Sequence, residues 1–316
     1  MKSIFSILVL GLMSMGLAAQ GGLETATVNV DGLKRDFKVY VPKSYGLNRE
    51  YPLVFVLHGG GGKASGMVKL TKKRFNHLAD RDSFIVVYPN GYERSWNDGS
   101  RDTLAPARRM NIDDVGFFDA MIEDLDKKLS IDKENIFACG ISNGGFMVQR
   151  LAIERASAFK AIAVVAANMS KDQQKAVPEN PVSVLFICGT ADPLVPYHGG
   201  TVMVLHQKRG EVASVESSVA YWKEQNKCTV LKEEYDFPDT NKADVCTAHK
   251  TVWQNAKHPN IRVVNISIEN GGHTWPGGKQ YLPRNLVGNT NRDFNACDEI
   301  WNFFKIMKNG IDVRIR

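Results

Sequence analysis

Ala138-Cys139-Gly140-Ile141-Ser142-Asn143-Gly144-Gly145-Phe146 joins a short apolar run to an apolar helical pattern through a serine flanked by glycines. Upstream lies Ile136-Phe137-Ala138-Cys139, strand-like; downstream Phe146, Val148, Leu151 and Ala152 suit a buried helix. A serine hydroxyl is a poor nucleophile at neutral pH, so it must be held exposed, beside a base and within reach of donors for a developing oxyanion. A sharp strand-to-helix turn supplies all three. In such a turn the side chains two before and two after the serine would collide with backbone, and Gly140 and Gly144 carry none. The helix beginning near Asn143 aims its free N–H groups at a reacting carbonyl. The alternative is a chance G-x-S-x-G in a glycine-rich loop. The strand before and the helix after it favour the nucleophile elbow.

The remaining chain bounds what such an elbow belongs to. Residues 1–19 carry Lys2, an apolar run from Ile4 to Leu17 and then Ala18-Ala19, the pattern of a signal peptide cut near Ala19. That run is too short for a membrane span, and no later run reaches the ~20 apolar residues a spanning helix needs. The expectation is a secreted protein, extracellular or periplasmic, with residues 20–316 forming a single domain and no internal repeat or linker. Net charge is +6, including Lys2, with the basic residues scattered and attached to no nucleic-acid motif. Five cysteines in an exported chain invite pairing. Cys228 and Cys246 bracket the polar stretch Lys232 to Asp244 and are the pair chosen for a disulfide; Cys139, Cys188 and Cys297 read as buried thiols.

Taken in order, Thr25 to Val30 and Leu33 to Val41 alternate around Asp31-Gly32, a hairpin. Leu53-Val54-Phe55-Val56-Leu57 is a continuous apolar strand of a parallel sheet, and it runs into His58-Gly59-Gly60-Gly61-Gly62. Four glycines let backbone N–H groups approach a ligand, and Gly60 is taken as the second oxyanion donor beside Asn143. A helix is expected over Val68 to Asp80 and a strand over Phe84 to Tyr88. The loop from Pro89 to Met110 is long enough to expect a function, and its Ser95-Trp96-Asn97-Asp98 reads either as a substrate-facing wall or as a surface turn around a half-buried Trp96. Asp113-Asp114 open an amphipathic helix, both suited to its positive start. Further strands fall at Ala161 to Val165, Val182 to Cys188 and Val263 to Ile268; a helix capped by Ser214 and a closing helix over Arg292 to Met307 complete the pattern. Strands alternating with helices predict a mostly parallel sheet covered on both faces.

Two loops at strand ends supply partners for Ser142. Gly189-Thr190-Ala191-Asp192-Pro193 places Asp192 in a rigid turn past a strand's carboxyl end, where open α/β sheets put functional groups. Gly271-Gly272-His273-Thr274-Trp275-Pro276 follows the final strand and presents His273; of the other histidines, His198 is the runner-up. Serine, acid and base thus come in the order Ser142, Asp192, His273. No HExxH or zinc-type cysteine spacing occurs, so neither metal nor cofactor is expected.

These pieces, Leu57-His58-Gly59-Gly60-Gly61, Tyr88-Pro89-Asn90-Gly91, Ser95-Trp96-Asn97-Asp98, Asp113-Asp114-Val115-Gly116-Phe117, Gly140 to Gly145, Gly189 to Asp192 and Gly271 to Gly277, resemble the secreted polyhydroxybutyrate depolymerase-like esterases. That family shades into feruloyl and acetyl-xylan esterases, and the likeness covers about Thr25 to Met307. The resemblance implies an α/β-hydrolase fold, the triad just named, the Cys228 to Cys246 disulfide and Gly60 as oxyanion glycine. It also makes Trp96 and Trp275 walls of an acyl or sugar site in a monomer acting on plant-wall esters, with a polyester as the alternative. A serine peptidase and a non-catalytic binding protein on the same scaffold are the more distant rivals.

Overall fold

The computed structural model of the chain describes residues 20–101, 104–204 and 206–309. The expected signal peptide, residues 1–19, lies outside the described residues. Among the described residues twelve strands run in chain order: β1 (Leu23–Val30), β2 (Leu33–Tyr40), β3 (Tyr51–Leu57), β4 (Ile85–Pro89), β5 (Ile131–Ile141), β6 (Ala161–Val165), β7 (Ser183–Gly189), β8 (Gly200–Val204), β9 (Gln207–Val212), β10 (Val230–Asp236), β11 (Thr247–Gln254) and β12 (Arg262–Glu269). The helices are α1 (Ala64–Leu70), α2 (Arg74–Asp82), α3 (Pro106–Arg109), α4 (Asp114–Lys128), α5 (Asn143–Glu154), α6 (Val215–Gln225), α7 (Arg284–Val287) and α8 (Ala296–Asn309). Among the described residues no helix is long and apolar enough to cross a membrane.

Ten strands form one sheet in the order β1-β2-β4-β3-β5-β6-β7-β12-β11-β10. From β4 to β12 every neighbour is parallel, while β1, β2 and, at the far edge, β11 and β10 are antiparallel. This is the mostly parallel sheet that the alternating strands and helices predict, in the α/β-hydrolase form that the family resemblance implies. The β1–β2 hairpin turns at Asp31 and Gly32, both with positive φ (48° and 77°), as a two-residue turn matched to strand twist requires.

The apolar strands are buried on both faces, so one strand feeds two cores. Leu53, Phe55 and Leu57 of β3 join Phe118, Met147, Leu151 and Trp222 from α4, α5 and α6. Val54 and Val56 point the other way, toward Met67, Leu78, Ile300 and Phe304 from α1, α2 and α8. The period of two within a strand sets which helices cover which face.

Four expectations are corrected. The single helix over Val68 to Asp80 is two, because Lys72 and Lys73 take positive φ (52° and 57°) and break the chain between α1 and α2. The closing helix begins only at Ala296, since the N–H of Arg292 is held by Asp244 Oδ2 at 2.7 Å. Asp113 caps α4, accepting from Gly116 N at 2.8 Å, but Asp114 does not cap: it is fully buried against Arg35 of β2 at 2.7 Å.

The fourth correction is the disulfide. All five cysteines are free thiols. The stretch after Cys228 is no loop but β10, and β11 follows Cys246; the two strands pair antiparallel, Val230 opposite Gln254 and Asp236 opposite His249. Cys228 therefore sits at one end of this hairpin and Cys246 at the other, separated by about 20 Å of strand at ~3.4 Å per residue. Bridging needs Cα atoms within ~7 Å. The two thiols also belong to different cores, on opposite faces of the sheet.

Candidate active site

Ser142 follows β5 directly and precedes α5, with φ 56° and ψ −125°. A non-glycine residue pays about 1–3 kcal/mol to sit in such a sparsely populated region, and the surroundings must hold it there. They do so by close packing. A Cβ at Gly140 would lie 2.4 Å from the Gly144 carbonyl oxygen, and one at Gly144 would lie 2.5 Å from the His58 carbonyl oxygen. Both neighbours are backbone and cannot yield, so the flanking glycines are steric necessities. Ser142 N donates to Val165 O of β6 (2.9 Å), which fixes the elbow to the carboxyl end of the sheet.

Asp192 and His273 meet as the spacing predicts. His273 Nδ1 lies 2.7 Å from Asp192 Oδ2, and both side chains are buried. The other carboxylate oxygen, Oδ1, accepts from Leu194 N (2.8 Å) and Val195 N (2.9 Å), so the turn orients the acid before the ring arrives. Ala191 N bonds Gly271 O (3.0 Å), joining the two loops. On the far side His273 N donates to Val287 O (2.6 Å), and the Tyr281 hydroxyl donates to His273 O (2.9 Å). With Nδ1–H committed to the carboxylate, Nε2 is left as the ring's basic position. Among the described residues no hydrogen bond joins Ser142 Oγ to that nitrogen. His198 does not compete: it is exposed, with Glu216 at 4.0 Å.

The glycine loop after β3 abuts the elbow: a Cβ on Gly59 would come within 3.2 Å of Ser142 Cβ, and one on Gly60 within 3.8 Å of Asn143 Cβ. Among the described residues the backbone N–H groups of Gly60 and Asn143 have no acceptor within the protein. Two unengaged donors thus flank the serine, one from a loop and one from a helix start. His58 shapes the loop. Its Nδ1–H donates to Gly59 O (2.7 Å), and its Nε2 accepts from Gly91 N (3.0 Å). Burial pushes its pKa down to about 4, so the ring is neutral near pH 7.

The two tryptophans are not substrate walls. Trp96 has no exposed surface; it leans on the His58 ring at 4.9 Å and donates Nε1–H to His58 O at 2.8 Å. Trp275 is equally buried, edge-on to Phe75 at 6.2 Å in the core under α1 and α2. Large aromatic area is most strongly driven into the interior, and here the loops turned both inward.

Sequence reasoning missed what Trp96 is buried against. Asn143 side-chain Oδ1 accepts from Trp96 N (2.7 Å), while its Nδ2 donates to Trp96 O (3.2 Å) and Asp98 Oδ2 (2.7 Å). Gln173 Nε2 donates to Asp98 O (3.0 Å) and Phe146 O (2.8 Å), and Asn97 N donates to Asp114 Oδ2 (2.7 Å). The available signal was a carboxylate and an amide flanking a tryptophan inside an over-long loop. A cavity of about 390 Å³ opens at the opposite, amino end of the strands, among Lys133, Lys160 and Asn260, and includes none of the residues named for this site.

Comparison with known proteins places the chain in a family. Residues 35–195 match the family model described as Esterase PHB depolymerase. A Nocardia uniformis subsp. tsuyamanensis protein named as an esterase, NocK, is 29% identical over 285 residues, covering 87% of this chain and 80% of that one. The probable feruloyl esterase C of Aspergillus terreus is 32% identical over 194 residues, 60% of this chain and 66% of the relative. The solved acetyl xylan esterase of Aspergillus awamori superposes with a TM-score of 0.56 at 14% identity, over 80% of this chain and 94% of that one, a likeness of fold.

Proposed function

The chain belongs to the PHB depolymerase esterase family and is a carboxylic ester hydrolase, and from that premise we propose that it works through an acyl-enzyme on Ser142. The observation that carries the reading is the buried 2.7 Å contact between Asp192 and His273 at the carboxyl end of the sheet that also carries Ser142. His273 Nε2 takes the Ser142 proton as Oγ attacks the ester carbonyl. Asp192 keeps Nδ1 protonated and supports the imidazolium that forms. The tetrahedral oxyanion is received by the N–H groups of Gly60 and Asn143. Collapse expels the alcohol, which takes the proton from His273. Water, activated by the same ring, then releases the acid.

Export follows from residues 1–19, and the substrate is an ester of plant cell-wall polysaccharide, a feruloyl or acetyl ester of xylan. The similarity to a feruloyl esterase supports that acyl class. The family's own description supports a second reading, hydrolysis of 3-hydroxyalkanoate oligomers. Parallel assays on methyl ferulate, acetylated xylan and a short 3-hydroxybutyrate oligomer separate the two. Ser142→Ala should lower turnover of whichever ester is accepted by about 10³-fold or more. Undiminished hydrolysis by that variant would remove Ser142 from the mechanism.

A further inference from the structure

The two oxyanion donors lie on separate pieces of chain. Gly60 belongs to the loop after β3 and Asn143 to the first turn of α5; the two abut directly, and the angle between their N–H groups is held further by whatever else touches both. The segment Gly91 to Asp98 does. Toward the glycine loop, Gly91 N donates to the His58 ring (3.0 Å), Arg94 O accepts from Gly61 N (2.8 Å), and the Trp96 indole donates to His58 O (2.8 Å). Toward the elbow, the Trp96 peptide makes a two-way clamp with the Asn143 amide, and Asp98 Oδ2 takes the second Asn143 N–H at 2.7 Å. Trp96 and Asp98 are essentially without exposed surface.

We propose that Trp96 and Asp98 are positioning residues that set the distance and angle between the Gly60 and Asn143 N–H groups, through contacts on both sides of the oxyanion hole. Neither reaches substrate, because both are buried. Their action is indirect: one indole N–H fixes the glycine loop, and one carboxylate stops the Asn143 side chain, and with it the helix start, from turning. Ground-state binding of the ester needs neither donor at full strength, whereas the tetrahedral species needs both. The two residues therefore govern kcat and not KM.

This inference rests on the oxyanion assignment proposed above. Its test uses Trp96→Phe, which removes the indole donor and keeps an aromatic ring, and Asp98→Asn, which removes the charge and keeps the shape. Each is assayed on a small ester for kcat and KM, and with two inhibitors: a trifluoromethyl ketone, which forms a hemiketal oxyanion on a serine, and the product acid, which does not. The expected result is a 10- to 100-fold fall in kcat with KM within about twofold. The trifluoromethyl ketone Ki should rise by the same factor as kcat/KM falls, with product Ki unchanged. Ki values for ketone and product that rise together, or a ketone Ki that stays put in both variants, overturn the proposal. If Trp96→Phe does not fold, Asp98→Asn and Asn143→Ala, which keeps its backbone donor, carry the same test. Loss of hydrolysis in Ser142→Ala tests the triad separately, so failure of one reading is distinguishable from failure of the other.

Discussion

One buried ring, that of His58, should contribute a separable share of this protein's loss of stability in acid. His58 holds two loops at once, donating to Gly59 O and accepting from Gly91 N, and a second ring proton would set N–H against N–H at 3.0 Å. Burial lowers its folded pKa from 6.5 to about 4. Above pH 6.5 both folded and unfolded chains carry a neutral ring, and the full stability is present. As pH falls from 6.5 to 4 the unfolded chain takes up a proton that the folded one refuses, so stability drops; below 4 both are protonated and the loss levels off. At about 1.4 kcal/mol for each pKa unit, the drop amounts to about 3 kcal/mol, a large share of a typical domain's margin. The assay is urea denaturation at fixed ionic strength between pH 7 and pH 4, on the wild type and on His58→Gln. Glutamine can still accept from Gly91 N but has no proton to gain. Other titrating groups act equally on both proteins, so the difference between the two curves isolates the ring. The variant should start less stable, having lost the contact with Trp96, and should lose about 3 kcal/mol less than the wild type on the way to pH 4. Parallel curves across the interval would refute the reasoning.

Gly144→Ala puts a methyl 2.5 Å from the His58 carbonyl oxygen, so hydrolysis should fall by about 100-fold or more with a lowered Tm, while Gly32→Ala, whose Cβ meets nothing within 4 Å, should leave activity unchanged. Asp192→Asn should fold, since Leu194 N and Val195 N keep an oxygen acceptor, yet lower kcat by about 10⁴-fold through the wrong imidazole tautomer, measured as steady-state ester hydrolysis. Asp114→Ala leaves Arg35 buried without its partner and should cost about 3–5 kcal/mol in urea unfolding. Dithiothreitol should not shift Tm, because the thiols at Cys228 and Cys246 are free; a reductant-dependent fall would contradict their placement at opposite ends of the hairpin.

What the sequence reveals tracks the interior. The runs Leu53 to Leu57, Ile136 to Ile141, Ala161 to Val165 and Val184 to Cys188 are buried on both faces, so their composition alone declares the parallel strands and their order along the chain. β10 and β11 escape that reading for a physical reason. β10 is the outermost strand, and Lys232, Glu233 and Glu234 there are the charges that keep an edge from pairing further. Polar composition looks like a loop whether the backbone is paired or not. The disulfide error descends from this one: two cysteines flanking an unstructured excursion would be close, but the same two flanking paired strands are held apart.

The site divides along the same line. Ser142, Asp192 and His273 each stand in a short, rigid, glycine- or proline-bearing turn just past an apolar strand, so local chemistry and chain order suffice to find them. Trp96, Asp98 and the Asn143 side chain have no such local mark, because what they do depends on which loop folds over which. A tryptophan in polar company reads as a substrate-facing wall or as a half-buried residue of a surface turn. It faces inward instead, since its single indole donor finds the His58 carbonyl and its peptide finds the Asn143 amide, which satisfies every polar group it buries. The long loop is functional in a different sense from the one its length suggested. Its buried Trp96 and Asp98 offer no surface to the ester, and the segment from Gly91 to Asp98 ties together the loop after β3 and the start of α5. In the proposed mechanism the reacting groups stand on turns and their spacing on a buried brace, a division of labour that leaves the turns legible as motifs and the brace illegible.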